Sequence, residues 1–203
     1  DTVLSKGALV ITVAAFGEVE SGKAICRSGA KPGDVVAVSH TIGDSAGGLD
    51  VLLHGIDGYA HLKKAHQFPT PQIQLGRALV AYRAHSLNDI SDGLASESNE
   101  IAKASGVDLI LDIESIFFQV QNMDKEAIPC SEELRQWAQS VQKDIYAYVF
   151  NGGEDYELIF TMAPDDFEAL RREYPYVTAI GQVWPGKGQV YVRHEGKMSV
   201  LQP

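Results

Sequence analysis

The chain has 203 residues, 45% hydrophobic and 22% charged, with a formal net charge of −10, a composition ordinary for one large globular domain or for a domain with a fragment of another. That acidic balance excludes the basic stripe needed by a nucleic acid or an acidic membrane surface, while leaving room for anionic small molecules bridged through metal ions. Two well-separated cysteines, Cys26 and Cys130, speak against a disulfide framework or zinc site and for a reducing cytoplasm, and no apolar run approaches the ~18–20 residues of a membrane span.

The chain opens Asp1-Thr2-Val3, with neither an initiator methionine nor a signal peptide, and is expected to be a piece of something longer. Ala8 to Ala15 is a short β-branched apolar run and reads as a buried strand. The segment RSGAKPGD, Arg27 to Asp34, reads as a crossing between structural units, and Asp34 to Ser39 as a second strand. A glycine-rich turn is expected at Gly43 to Gly48, followed by a short helix near Leu49 to Leu53. Residues 56 to 71 read as a polar, non-helical stretch ending in Pro69-Thr70-Pro71. Ile73 to His85 reads as a helix, separated by Asp89 to Gly93 from another at Leu94 to Ser105, with Gly106 as its stop.

Val107 to Ile113 alternates as a strand does. Ser131 looks like an N-cap, followed by Glu132 and Glu133 and a stripe of Leu134, Trp137, Ala138 and Val141. Tyr146 to Phe150 and Tyr156 to Met162 read as strands flanking a turn, NGGED. Asp165 to Tyr174 is a helix behind Pro164, and Tyr176 to Val183 and Gln189 to Arg193 read as a terminal hairpin joined by Pro185 to Gly188. Mixed βα units with a closing hairpin predict an α/β or α+β domain on a mixed sheet.

Three clusters can carry chemistry. In Asp89-Ile90-Ser91-Asp92-Gly93, two carboxylates three residues apart can aim at one magnesium ion, which takes one or two carboxylates and completes its shell with water and phosphate. Equally, Asp92 can cap the helix that starts at Leu94. In Asn151 to Glu157 (NGGEDYE), paired glycines allow close backbone approach, and the acids suit a cation; the plainer reading is a hairpin turn. Gly43-Asp44-Ser45-Ala46-Gly47 fits G-x-S-x-G, so a serine hydrolase with Ser45 as nucleophile, Asp165 or Asp166 as acid and His194 as base is a rival reading. No HGGG-type segment accompanies it, and too few elements precede Ser45 for that fold.

Taken together, RSGAKPGD, GDSAGGL (Gly43 to Leu49), DISDGL (Asp89 to Leu94) and GGEDYEL (Gly152 to Leu158) occur in an order and at spacings that resemble thiamine-monophosphate kinase. That enzyme shares a superfamily with aminoimidazole-ribonucleotide synthase, selenophosphate synthetase and a hydrogenase-maturation protein. The resemblance runs from Asp1 to about Val183, with Asp1-Thr2 similar to the end of the family's GGDT motif. It implies a three-layer α/β sandwich, residues 31–203, preceded in residues 1–30 by the last strand of an N-terminal ATP-binding domain.

It also implies an ATP-dependent phosphorylation of thiamine phosphate to thiamine diphosphate, with magnesium as cofactor and no phospho-enzyme. Carried over by position, Asp1, Asp89 and Asp92 are metal ligands, Asp1, Arg27 and Ser91 contact ATP, and Glu154 contacts the thiamine phosphate. A cytoplasmic homodimer is implied, its contacts made mainly by the N-terminal domain.

The departures are specific. The family's acidic GDD and STD motifs are absent, and so is its glycine-aromatic-His-Phe ending. Where the family has H-x-R-P-x-P-R, this chain has His66-Gln67-Phe68-Pro69-Thr70-Pro71-Gln72, with both arginines replaced. A binding or assembly module that keeps the fold without the chemistry is therefore the alternative expectation.

Overall fold

A computed structural model describes residues 7, 9, 11–112, 128–194 and 196–203. Within them, seven strands form one mixed sheet in the order β2-β4-β1-β5-β3-β6-β7. The strands are β1 (Val35–Ser39), β2 (Ser86–Asp89), β3 (Val107–Asp112), β4 (Leu158–Met162), β5 (Val177–Pro185), β6 (Val190–His194) and β7 (Lys197–Val200). All neighbours pair antiparallel except β3 and β6, which run parallel. Helices cover both faces: α1 (Asp44–Leu53), α2 (Ala60–Gln67), α3 (Ile73–Ala81), α4 (Leu94–Ser105), α5 (Glu132–Ser140), α6 (Ile145–Asn151) and α7 (Pro164–Glu173).

Strand alternation divides the core in two, giving the expected three layers. Val36 and Val38, with Ile159, Ile180, Leu109 and Leu111, pack under α1, α2, α4, α5 and α6. Val35 and Ala37, with Phe160, Met162 and Val177, pack under α3 and α7 through Leu75, Leu79, Phe167 and Leu170. Successive residues of a strand face opposite sides, so a sheet buried on both faces needs such unbroken apolar runs. Each fully buried side chain of this size contributes about 1.5–3 kcal/mol relative to exposure.

Several predicted elements stand as read. α4 occupies Leu94–Ser105 and ends at Gly106 in the left-handed region, φ 67°. Ser131 caps α5, its hydroxyl accepting from Leu134 N at 3.1 Å, and Leu134, Trp137 and Ala138 of the predicted stripe are buried, while Val141 is half-buried at the C-cap.

Other elements differ, each for a non-local reason. The described residues of the 8–15 run form no strand: Leu9, Ile11 and Val13 are exposed and pair with no strand of this sheet. Residues 43–48 are not a turn, because α1 already begins at Asp44. Its Gly48 is a packing residue, since a Cβ there would lie 2.0 Å from the Leu62 carbonyl oxygen of α2. α2 itself falls in the stretch read as non-helical. Its first turn is capped from α5, where Glu133 accepts from the backbone of His61 at 3.0 Å and of Leu62 at 3.3 Å.

The helix read to His85 stops at Ala81, and the short edge strand β2 follows. Tyr146 to Phe150 is helix α6, not strand, started by Asp144, whose side chain accepts from Tyr146 N at 3.0 Å. β5 and β6 form no hairpin, because β3 lies between them. Their connection wraps Asp108 of β3, whose carboxylate accepts from the backbone of Lys187, Gly188 and Gln189.

Candidate active site

The β2–β4 ladder continues past the strand ends and ties the two acidic turns together. Ile90 N donates to Glu157 O at 2.7 Å, Tyr156 N to Ile90 O at 2.9 Å, and Glu154 N to Ser91 O at 2.8 Å. Glycine is required where the turns touch: a Cβ on Gly153 would lie 2.6 Å from Ser91 O, and one on Gly93 (φ +111°) 2.8 Å from Phe150 O. Asp89, Ser91, Asp92 and Glu154 are thereby brought together, with the three acids exposed. Glu154 and Tyr156 hold left-handed backbone, φ 66° and 53°, at a cost on the order of 1–3 kcal/mol each for side-chain-bearing residues.

Asp92 is not a helix cap. The N-cap of α4 is Gly93, with no side-chain capping bond. Neither the Asp89 nor the Asp92 carboxylate hydrogen-bonds or ion-pairs with another described residue. Instead Glu97, in the first turn of α4, accepts from Asp92 N at 3.3 Å and faces the Ser91 hydroxyl at 3.4 Å. Burial pushes the Glu97 carboxyl above its usual range; the Asp92 N–H pulls it down, and the charges of Glu100, Asp89 and Asp92 push it further up. Arg27 joins this cluster from RSGAKPGD, with Nε on Asn88 Oδ1 at 3.2 Å and Nη1 on Glu100 at 3.0 Å. Asp1 lies outside the described residues.

Next to Glu154, the Asp155 side chain turns toward the start of α1. It accepts from Gly43 N at 2.6 Å and Ser45 N at 2.9 Å, supplying the cap that Gly43 lacks. Burial raises its carboxyl to about 7; the two backbone donors oppose this, and Asp44 and Glu157 add to it.

Ser45 is wholly buried, and the ring that its Oγ meets, at 3.1 Å, is His66 through Nδ1. The same Nδ1 lies 3.7 Å from Glu154 Oε2. A serine–histidine–acid relay uses the two different ring nitrogens, and Asp166 is engaged with Arg83. The geometry does not assemble the hydrolase triad.

A cavity of about 570 Å³ opens beside the Asp155 carboxylate, lined among others by His40, His61, Phe68, Gln72, Glu157 and Tyr176. Glu157 accepts there from Ser39 Oγ, from His40 Nδ1 at 3.0 Å and from Gln72 Nε2 at 3.3 Å. His40 stacks on Tyr176 with ring centroids 4.2 Å apart. Phe68 and Gln72, the two positions where arginine is replaced, are both on its wall. The Glu97–Asn88 pair carries no local motif; only the packing of β2 against α4 reveals it.

Among the described residues no group of three or more His, Cys, Asp or Glu side chains could hold a metal ion. Asp89 and Asp92 do fit magnesium as a partial shell: hard oxygen donors, accessible and otherwise unused. No described helix is long and apolar enough to cross a membrane.

Residues 31–193 match the family of the AIR synthase related protein, C-terminal domain. The thiamine-monophosphate kinase of Bacillus subtilis is 35% identical over 214 residues, covering 99% of this chain and 57% of that protein. The crystal structure of thiamine-monophosphate kinase from Stenotrophomonas maltophilia superposes with a TM-score of 0.73 at 32% identity, over 88% of this chain and 56% of that one. A structure described as AaThiL complexed with AMPPCP and TMP gives 0.70 at 34% identity, over 85% and 51%. The chain thus spans about half the length of the relatives it matches. With its mixed sheet and its paired acidic turns, the chain belongs to the AIR synthase related family as its C-terminal domain, and is similar over that half to thiamine-monophosphate kinases.

Proposed function

We propose that the protein carrying this chain transfers the γ-phosphoryl group of ATP to the phosphate of thiamine phosphate, giving thiamine diphosphate and ADP. The observation that carries this reading is the backbone bond from Glu154 to Ser91, which joins the DISDG and GGED turns into one acidic edge. The relative complexed with AMPPCP and TMP supports a nucleotide and a phosphate ester as its ligands.

Asp89 and Asp92 are the side chains that would hold magnesium, whose chemistry is to neutralise phosphate charge. Arg27 keeps Nη2 unused by described residues and can donate to a nucleotide phosphate. Ser91, in the same turn as Asp89 and Asp92, is the second group that would meet the nucleotide, its hydroxyl proton being given to Glu97. Glu154, exposed and negative, suits the permanently cationic thiazolium. The attacking oxygen belongs to the thiamine phosphate itself, so no side chain serves as covalent nucleophile, and positioning carries the catalysis.

In this reading residues 31–203 are the C-terminal domain. Residues 1–30, Asp1 included, belong with an N-terminal nucleotide-binding domain of a cytoplasmic homodimer. Coupled detection of thiamine diphosphate from the full-length protein, with magnesium and both substrates saturating, tests it; absence of product overturns it. The 203-residue chain alone offers Asp1, Arg27, Ser91, Asp89 and Asp92, and titration calorimetry with magnesium and ATP is expected to show weak binding or none. Micromolar affinity with product formation by this chain alone would show that the active site lies wholly within it.

A further inference from the structure

Asn88 precedes Asp89 on β2, and alternation along the strand turns it inward, where it is buried against α4. All of its amide is used. Nδ2 donates to Glu97 Oε2 and, at 3.1 Å, to Glu100 Oε2, while Oδ1 accepts from Arg27 Nε at 3.2 Å. Glu97 is only 2% exposed. Its second oxygen takes Asp92 N and the Ser91 hydroxyl.

One continuous path of hydrogen bonds therefore runs from Ser91 through Glu97 and Asn88 to Arg27. Glu97 and Glu100, three apart on one helix face, repel each other. The shared Asn88 amide and the Arg27 guanidinium offset that repulsion. An aspartate at 88 could not, because it accepts and does not donate. The inner members of the path are buried, while the Arg27 side chain at its end remains 55% exposed, with donors left over.

We infer that Glu97 and Asn88 are positioning residues that fix the Arg27 guanidinium and the Ser91–Asp92 turn relative to each other, so that Arg27 meets a nucleotide phosphate as a preorganised donor held in register with that turn. Glu97 acts on Arg27 through Asn88, without touching it. A preorganised donor loses less freedom on binding, so disruption should appear in the affinity for nucleotide before it appears anywhere else. The inference rests on the kinase reading for the identity of the ligand, and not for the geometry.

The first test is free of activity. In ¹⁵N–¹H spectra of the 203-residue chain, the Arg27 Nε–H is assigned by its loss in Arg27→Lys. It is expected to shift and to exchange with water about tenfold faster, the loss of one hydrogen bond, in Glu97→Ala and in Asn88→Ala. Glu97→Gln, which keeps the volume but presents one acceptor oxygen instead of two, should shift it less and serves if Glu97→Ala does not fold. The second test is kinetic: in the full-length protein the KM for ATP should rise about tenfold with the KM for thiamine phosphate unchanged. An Arg27 Nε–H that stays put in folded Glu97 variants overturns the inference, as does an unchanged KM for ATP. If the resonance moves while the unsubstituted protein makes no thiamine diphosphate, the positioning pair stands and the kinase reading falls.

Discussion

The Asp155 carboxylate accepts from the backbone N–H of Ser45 at 2.9 Å, closing a contact across 110 residues of sequence. It is the cap of a helix made long before it, and it anchors the turn that carries Glu154. Its carboxyl is raised to about 7, chiefly by burial, against an unfolded value of about 3.9. A raised acid stabilises the fold fully below its unfolded pKa and loses that contribution as pH rises through the folded value. Between about pH 4 and pH 7 the melting temperature should therefore fall more steeply in the unsubstituted chain than in Asp155→Asn, which cannot ionise. Calorimetric melts of both across that window measure the difference; parallel curves would mean that Asp155 titrates normally.

Asp89 and Asp92 are exposed and make no hydrogen bond through their carboxylates within the described fold. Asp89→Asn and Asp92→Asn should each change stability by no more than about 0.5 kcal/mol. Each should sharply lower magnesium-dependent turnover of the full-length protein. Full activity in both variants would remove them from the metal shell.

Two helical glycines give opposite expectations. Gly48→Ala drives a methyl to within 2.0 Å of the Leu62 carbonyl oxygen and should cost about 1–3 kcal/mol as α1 and α2 are forced apart. Gly76→Ala in α3 meets no atom within 4 Å and should stabilise by about 0.5–1 kcal/mol through helix propensity alone. Urea unfolding of the pair reads both signs at once.

A fluorophosphonate probe should leave Ser45 unlabelled, because the hydroxyl is fully buried and held against His66. Stoichiometric labelling of Ser45, located by peptide mass, would restore the hydrolase reading.

The sequence made some of this legible and hid the rest for physical reasons. α4 and the capped start of α5 were readable because their signals are local: a glycine stop, a serine cap, a stripe of apolar residues. α6 was not, because Tyr-Ala-Tyr-Val-Phe has strand composition. Its helicity comes from the Asp144 cap and from burying Tyr148, Val149 and Phe150 together. β2 is short and polar, and a helical period running on from Ile73 masked it. Within the site, the two acidic turns stood out by motif, whereas Asn88 and Glu97 belong to no motif. Their meaning arises only when β2 lies against α4.

The strand order has a consequence for how the chain is made. Among the described strands, β6 and β7 are the only sheet neighbours consecutive along the chain, and no two of β1, β2 and β3 pair with each other. Among the described residues, β1, β2 and β3 therefore have no sheet partner on a nascent chain until Leu158–Met162 is synthesised. Sheet formation cannot proceed by zipping neighbours together as they emerge; it must close long loops late, the regime of high contact order and slow folding. Until β4 and β5 arrive, the apolar faces of β1 and β3 are the surfaces that a holdase chaperone would have to cover.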